Sequence, residues 1–180
     1  MKPKKIVITG GPGSGKTSII DELLKRKFHC LPEISREVIL EARKKGIEQL
    51  FLTHPLLFSE KLLQGRVEQY NQTLQLDETM VFLDRGIHDV LAYMDFIGDE
   101  YPESFVDSCK NHVYDTVFIL PPWKDIYISD NERYENYDQA LKIHENLKKT
   151  YESYGYELME VPTGTVEERT DFIINVINYL

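Results

Sequence analysis

Ile6-Val7-Ile8-Thr9-Gly10-Gly11-Pro12-Gly13-Ser14-Gly15-Lys16-Thr17 joins an apolar run to a glycine-rich turn that ends in a lysine and a hydroxyl. The spacing G-x-x-x-x-G-K-T is that of a phosphate-binding loop. Its glycines let the backbone turn through positive φ and bring N–H groups against an anion with no Cβ in the way. The helix expected to follow offers unsatisfied N-terminal donors and the positive end of its dipole to the same anion. On this reading Gly11, Pro12, Gly13, Ser14, Gly15, Lys16, Thr17 and Ser18 wrap the phosphates of a nucleoside triphosphate. Lys16 reaches the β- and γ-phosphates as a catalytic cation, and the Thr17 hydroxyl takes a position on Mg²⁺.

The rest of the composition places this loop in an ordinary globular protein. The 180 residues are 42% hydrophobic and 28% charged, a length that suits one domain over 1–180. No apolar run approaches a membrane span, and the Lys-rich start runs straight into the first apolar segment, so neither a membrane anchor nor a cleaved leader is expected. Cys30 and Cys109 stand far apart in no metal-binding spacing and read as reduced thiols of a cytoplasmic protein. A formal charge of −9 argues against nucleic acid as the main partner. An acidic chain that holds polyphosphate must gather its few cations locally, which makes each arginine informative.

Periodicity divides the chain into alternating strands and helices. Strands are predicted at Lys4–Thr9, Phe28–Glu33, Thr79–Leu83, Thr116–Leu120 and Tyr156–Val161. Helices are predicted at about 16–27, 35–45, 55–76, 87–97, 102–111, 137–154 and 166–180. On the longest, Leu56, Leu57, Leu62, Leu63, Val67 and Leu74 are expected to form the buried side. This order predicts an α/β fold of three layers, a five-stranded parallel sheet with helices on both faces. Right-handed crossovers then bring the strand C-terminal ends, and with them the loop, Glu33, Asp84-Arg85 and the residues after Pro121, to one rim.

Val81-Phe82-Leu83-Asp84 ends an apolar strand in a carboxylate, the usual Mg²⁺-side partner of such a loop; Asp84 could equally cap the next helix. Arg85 follows, placed to grip a phosphate or substrate oxygen, or else to pair with Asp89 one turn on. Glu33 and Arg36, as E-x-x-R, are expected to face the crevice together. Glu33 would orient or deprotonate an acceptor hydroxyl and Arg36 would anchor it, or the two would form a helix-start ion pair. Arg133 sits in the polar stretch of about 123–137, read as a lid that carries a catalytic cation over the triphosphate or as a solvated charged loop. Thr163, in Pro162-Thr163-Gly164-Thr165, is expected beside the nucleobase. His88 and His144 are read as exposed helix residues, and the tyrosines from Tyr134 to Tyr156 as packing.

The loop, Pro32-Glu33 with Arg36, Asp84-Arg85-Gly86 with Asp89, and Arg133 together resemble the nicotinamide riboside kinase-like AAA-type ATPase domains, within the P-loop nucleoside and nucleotide kinase class. The resemblance covers nearly the whole chain. It implies a five-stranded parallel sheet with the lid between the fourth and fifth strands. It also implies phosphate contacts from Lys16, Arg85 and Arg133, and a Mg²⁺ or hydroxyl-activating role for Asp84. Two functions follow as expectations. One is γ-phosphoryl transfer from ATP–Mg²⁺ to a small nucleoside- or nucleotide-like acceptor. The other is a nucleotide-dependent switch or ATPase acting on a protein or lipid partner. No Asn-Lys-x-Asp is present, so adenine is the expected base, and the acceptor does not transfer with a fold. Under either function Lys16→Ala is expected to abolish ATP binding in titration calorimetry while the circular dichroism spectrum stays unchanged; undiminished affinity contradicts the reading of the loop.

Overall fold

The structure, a computed structural model, describes residues 2–126 and 136–179. In chain order the elements are β1 (Lys4–Gly10), α1 (Lys16–Lys25), β2 (His29–Leu31), α2 (Ser35–Lys44), α3 (Leu50–Thr53), α4 (Pro55–Thr73), β3 (Met80–Asp84), α5 (His88–Ile97), α6 (Glu103–Asn111), β4 (Thr116–Leu120), α7 (Tyr137–Ser153), β5 (Leu158–Glu160) and α8 (Val166–Tyr179). The five strands form one sheet in the order β2-β3-β1-β4-β5, every neighbouring pair parallel. The sheet and its strand count are as the sequence predicts, and the short α3 is an addition to the predicted set.

Alternation along the strands builds the two faces. Ile6 and Ile8 of β1, with Phe82 and Phe118, pack against Ile19, Ile20 and Leu23 of α1 and Ile173 and Ile177 of α8. Val7, Val81, Leu83, Val117 and Ile119 point the other way, toward α4, α5 and α7. Strands buried on both faces read as continuous apolar runs, which is why β1, β3 and β4 were legible. Register pairs Ile8 with Asp84 and Gly10 with Leu120, so β1 and its two neighbours end level at the rim where the glycine-rich loop begins. Among the described residues no helix is long and apolar enough to cross a membrane. Burial raises both cysteine thiols to about 12, so each stays protonated.

Two expectations are corrected. The buried side of α4 consists of Phe58, Ser59, Leu62, Leu63, Arg66, Gln69 and Thr73, while Leu56, Leu57 and Leu74 are exposed. Polar residues occupy that stripe because they have internal partners: the Arg66 Nη1 donates to the Gly86 carbonyl at 2.8 Å and the Gln69 Nε2 to the Pro32 carbonyl at 2.7 Å. The two histidines expected to be exposed are instead buried, His88 with no exposure and His144 nearly so. His88 stacks on Tyr151 at 4.9 Å and meets the edges of Tyr154 and Tyr156 at 4.8 and 5.0 Å. Its two ring nitrogens have no hydrogen-bond partner among the described residues.

Burial drives the His88 pKa down from 6.5 to about 4, the neighbouring Asp89 charge opposing this only in part. Between those two values the unfolded chain takes up a proton that the folded chain refuses. Stability from this group is therefore full above pH 6.5 and falls as the pH drops toward about 4. A depression of this size corresponds to roughly 3 kcal/mol. Urea unfolding of His88→Phe is expected to show a shallower loss of stability over this window than the parent chain; parallel pH profiles would contradict the assignment.

Candidate functional site

The loop from Gly11 to Gly15 crosses from β1 to α1, and Lys16 opens the helix. Gly15 is its N-cap at φ 78°, and a Cβ there would lie 2.7 Å from the Arg169 guanidinium, so only glycine fits. The Ser14 hydroxyl donates to the Gly11 carbonyl at 2.8 Å and closes the turn. With Trp123, Ile126, Thr165 and Val166 the loop lines a cleft of about 460 Å³. Thr17 and Ser18 are exposed at its edge, while the Lys16 side chain is buried.

The Lys16 ammonium donates to Asp84 at 2.5 Å, both side chains less than a tenth exposed. Burial and the Arg85 charge lower the Lys16 pKa; Asp84 and Glu33 oppose them. Arg85 follows Asp84 at φ 75°, a left-handed conformation that costs a non-glycine residue about 1 kcal/mol or more. Three contacts hold it there. Its backbone N–H donates to the Ile8 carbonyl at 3.0 Å, its Nε meets Glu33 at 2.5 Å, and its Nη1 meets Asp89 at 3.1 Å. Arg66 adds a second cation to Glu33 at 3.3 Å. Burial alone would raise the Glu33 pKa, but Arg66, Arg85 and Lys16 outweigh it and hold the carboxyl at about 2. Burial of Arg85 is likewise overcome by Glu33, Asp89 and Asp84, which raise its pKa and keep it charged.

On the far side of the cleft, Thr165 and Glu168 form a reciprocal capping box at the start of α8, with bonds of 2.9 and 3.1 Å. That box fixes the first turn of α8 and with it Arg169. The Arg169 Nη2 donates to the Ser14 carbonyl at 2.9 Å, its Nε to the Pro162 carbonyl at 3.2 Å, and its guanidinium lies 5.9 Å from the centre of the Trp123 ring. Burial lowers its pKa. Arg169 thus braces the loop from behind and floors the cleft beside an aromatic ring.

Several predicted site residues meet here: Lys16, Glu33, Asp84 and Arg85 form one contiguous charge network. Arg36 does not join it. It is exposed on the first turn of α2, and the Glu33 carboxylate turns to Arg85 and Arg66 and to the Ile34 and Ser35 N–H groups at 3.0 and 3.1 Å. The expected Glu33–Arg36 pair is therefore replaced by pairs across the sheet. Thr163 is exposed, and Gly164 and Thr165 border the cleft in its place. Arg133 lies outside the described residues. Sequence reasoning missed Arg66 and Arg169. The one signal for Arg66 was a cation on the apolar stripe of a helix; for Arg169 it was the Thr165-x-x-Glu168 box one residue earlier.

The donor set suits a hydrated magnesium ion held largely by a triphosphate. Such an ion uses one or two protein oxygens and keeps phosphate and water for the rest. The Thr17 hydroxyl and the Asp84 carboxylate are oxygens of that kind, next to a loop whose glycines leave backbone N–H groups free of side chains.

The strand order and the glycine-rich loop between β1 and α1 define a P-loop nucleotide-binding fold. The chain belongs to the AAA-domain family, whose model matches residues 5–169. Among solved structures it resembles deoxyadenosine kinase from M. mycoides, described with dCMP and dCDP bound, at 19% identity and a TM-score of 0.72, covering 98% of this chain and 100% of that one. It also resembles the NadR protein in complex with NR, at 15% identity and a TM-score of 0.73, covering 99% of this chain and 50% of NadR. Thymidylate kinase from Candida albicans matches at 18% identity and a TM-score of 0.68, over 99% of this chain and 92% of that one. Identities this low show a shared fold. No curated protein matches the chain in sequence.

Breaking a buried ion pair leaves the remaining charge uncompensated, at a cost of about 3 kcal/mol. Arg66→Met is expected to destabilise the chain by roughly that amount in urea unfolding; a loss below about 1 kcal/mol, the value of an exposed pair, contradicts the role given to Arg66.

Proposed function

We propose that the chain is a small-molecule kinase that transfers the γ-phosphoryl group of ATP to a hydroxyl or phosphate of a nucleoside- or nucleotide-like acceptor. The observation that carries this reading is the Glu33–Arg85 pair, at 2.5 Å, beside the Lys16–Asp84 pair on the same rim. A carboxylate and a guanidinium fixed together on this rim suit an acceptor group that must be both held and aimed.

Roles follow from chemistry. Backbone N–H groups of residues 11–17 and the Lys16 ammonium bind the phosphates; Thr17 and Asp84 would hold magnesium, which would supply charge neutralisation to the transferring phosphoryl group. Arg85 grips a phosphoryl or acceptor oxygen. Glu33, held at about 2 by its cations, is a poor proton acceptor at neutral pH. Its role is to accept a hydrogen bond from the acceptor hydroxyl and aim it, which serves a loose phosphoryl-transfer transition state that asks little of a base. Trp123, Gly164, Thr165 and Arg169 surround the place for the adenine ring. Arg133 is assigned the lid cation. The reading includes one domain over the whole chain, a cytoplasmic location and no nucleic-acid partner.

ATP consumption with Mg²⁺ is expected to rise many-fold with one member of a panel of nucleosides and nucleoside monophosphates. Arg85→Ala is expected to remove that rise, while Arg36→Ala leaves it in place. Slow hydrolysis that no panel member accelerates would overturn the kinase and favour a nucleotide-dependent binding module.

A further inference from the structure

Asp89 is a fully bonded carboxylate. It is buried on the first turn of α5 and accepts four hydrogen bonds, about the capacity of the group. Oδ1 takes the Thr9 hydroxyl at 2.6 Å and the Arg85 Nη1 at 3.1 Å. Oδ2 takes the Gly86 N–H at 3.0 Å and the Tyr151 hydroxyl at 2.6 Å. Burial alone would raise its pKa, yet Arg66 and Arg85, then the Thr9 and Tyr151 hydrogen bonds, hold it below the ordinary carboxylate range. The carboxylate therefore ties together four pieces of chain: the end of β1 just before the phosphate loop, the left-handed turn after β3, α5 and α7.

Tyr151 is the member that reaches in from outside the rim. It sits near the C-terminal end of α7, fully buried. The other end of α7 lies against the phosphate loop, since a Cβ on Gly11 would stand 3.4 Å from the Ala140 carbonyl and from the Ile143 side chain. One rigid helix thus touches the loop near its N-terminus and, through Tyr151 and Asp89, the Arg85 guanidinium near its C-terminus. Helix rise fixes the distance between those two points.

We propose that Tyr151 and Thr9 are positioning residues for Arg85. By bonding both oxygens of Asp89 they lock the carboxylate that orients the guanidinium, so that α7 sets the spacing between the phosphate loop and the acceptor-side cation. The Arg85 turn is strained, and a strained turn keeps its geometry only where its surroundings over-determine it. Asp89 supplies that constraint, and the two hydroxyls keep Asp89 from rotating. This rests on the kinase reading for its effect on turnover, and on geometry alone for its effect on Arg85.

The test uses Tyr151→Phe, which keeps the ring against His88 and removes only the hydroxyl, with Thr9→Val and Thr9→Ser as a pair. The first readout needs no acceptor: solvent exchange of the Arg85 Nη1 protons, the ones that face Asp89, in ¹⁵N-labelled protein, assigned with Arg85→Lys. Tyr151→Phe and Thr9→Val are expected to speed this exchange at least about tenfold, the order of one lost hydrogen bond to a charged group, and Thr9→Ser to restore the parent rate. The second readout is kinetic, with the panel acceptor that stimulates turnover. Turnover per folded molecule is expected to fall about tenfold in the same two variants with the KM for ATP unchanged. Unchanged Arg85 exchange, with activity lost only in proportion to the unfolded fraction, overturns the proposal. Absence of any stimulating acceptor defeats the kinase reading and leaves the exchange measurement to decide the positioning role by itself.

Discussion

Six charged side chains gathered at the ends of β1, β2 and β3, four of them buried and Glu33 and Arg85 partly exposed, constrain everything else at this rim. Lys16, Arg66 and Arg85 face Glu33, Asp84 and Asp89, three cations against three carboxylates. Each charge taken out of water costs several kcal/mol, and only close partners repay it. The network is affordable because the parallel sheet delivers the strand ends level with one another and because two helices, α4 and α5, contribute Arg66 and Asp89 from behind. It is a poor device for stability, since apolar residues of the same volume would cost less. Its value is in holding cations at fixed points in a partly dry cleft, where they act on an incoming phosphate far more strongly than they would in bulk water.

The same economy explains the individual contacts. Lys16 rests on Asp84, which compensates an ammonium that is nearly cut off from solvent. A triphosphate in the loop would offer that ammonium stronger partners and leave the Asp84 oxygens for a cation. Glu33 is pinned by two guanidiniums and two backbone N–H groups, which makes it a fixed acceptor of hydrogen bonds and a weak base. Arg169 works on the opposite wall, where its bonds to the Ser14 and Pro162 carbonyls fasten the phosphate loop to the start of α8. The loop is therefore braced from two directions, by α7 against Gly11 and by α8 against Ser14.

Much of this was legible before the fold was seen. Buried parallel strands announce themselves as uninterrupted apolar runs, and β1, β3 and β4 stand where their runs do. The glycine-lysine-threonine spacing located the phosphate loop, and Asp84-Arg85 were placed at a strand end from pattern alone. Failures share one cause. Glu33 was paired with Arg36 because they are neighbours in sequence, but its partners come from α4 and from the strand beside it, at separations no local pattern reports. Arg66 and Gln69 were read past because the α4 stripe was scored for apolar residues only, and their burial depends on carbonyls and a carboxylate supplied by other elements. His88 looked exposed because a polar residue on the first turn of a helix usually is; three tyrosines from the end of α7 and the turn after it enclose it. Tyrosines read as packing also hold Tyr151, whose hydroxyl bonds Asp89. In each case the missing information was a long-range contact, polar at Glu33, Arg66, Gln69 and Tyr151 and aromatic at His88.

The central claim is that the loop and the charge network form one site for a triphosphate and its acceptor. A crystal structure with a non-hydrolysable ATP analogue and Mg²⁺ tests it most directly. The account predicts the phosphates wrapped by residues 11–17, the Lys16 ammonium moved from Asp84 to the phosphate oxygens, magnesium between Thr17 and Asp84, and the terminal phosphate facing Arg85 and Glu33. An analogue bound elsewhere, with the Lys16–Asp84 pair intact and the loop vacant at saturating concentration, would contradict it.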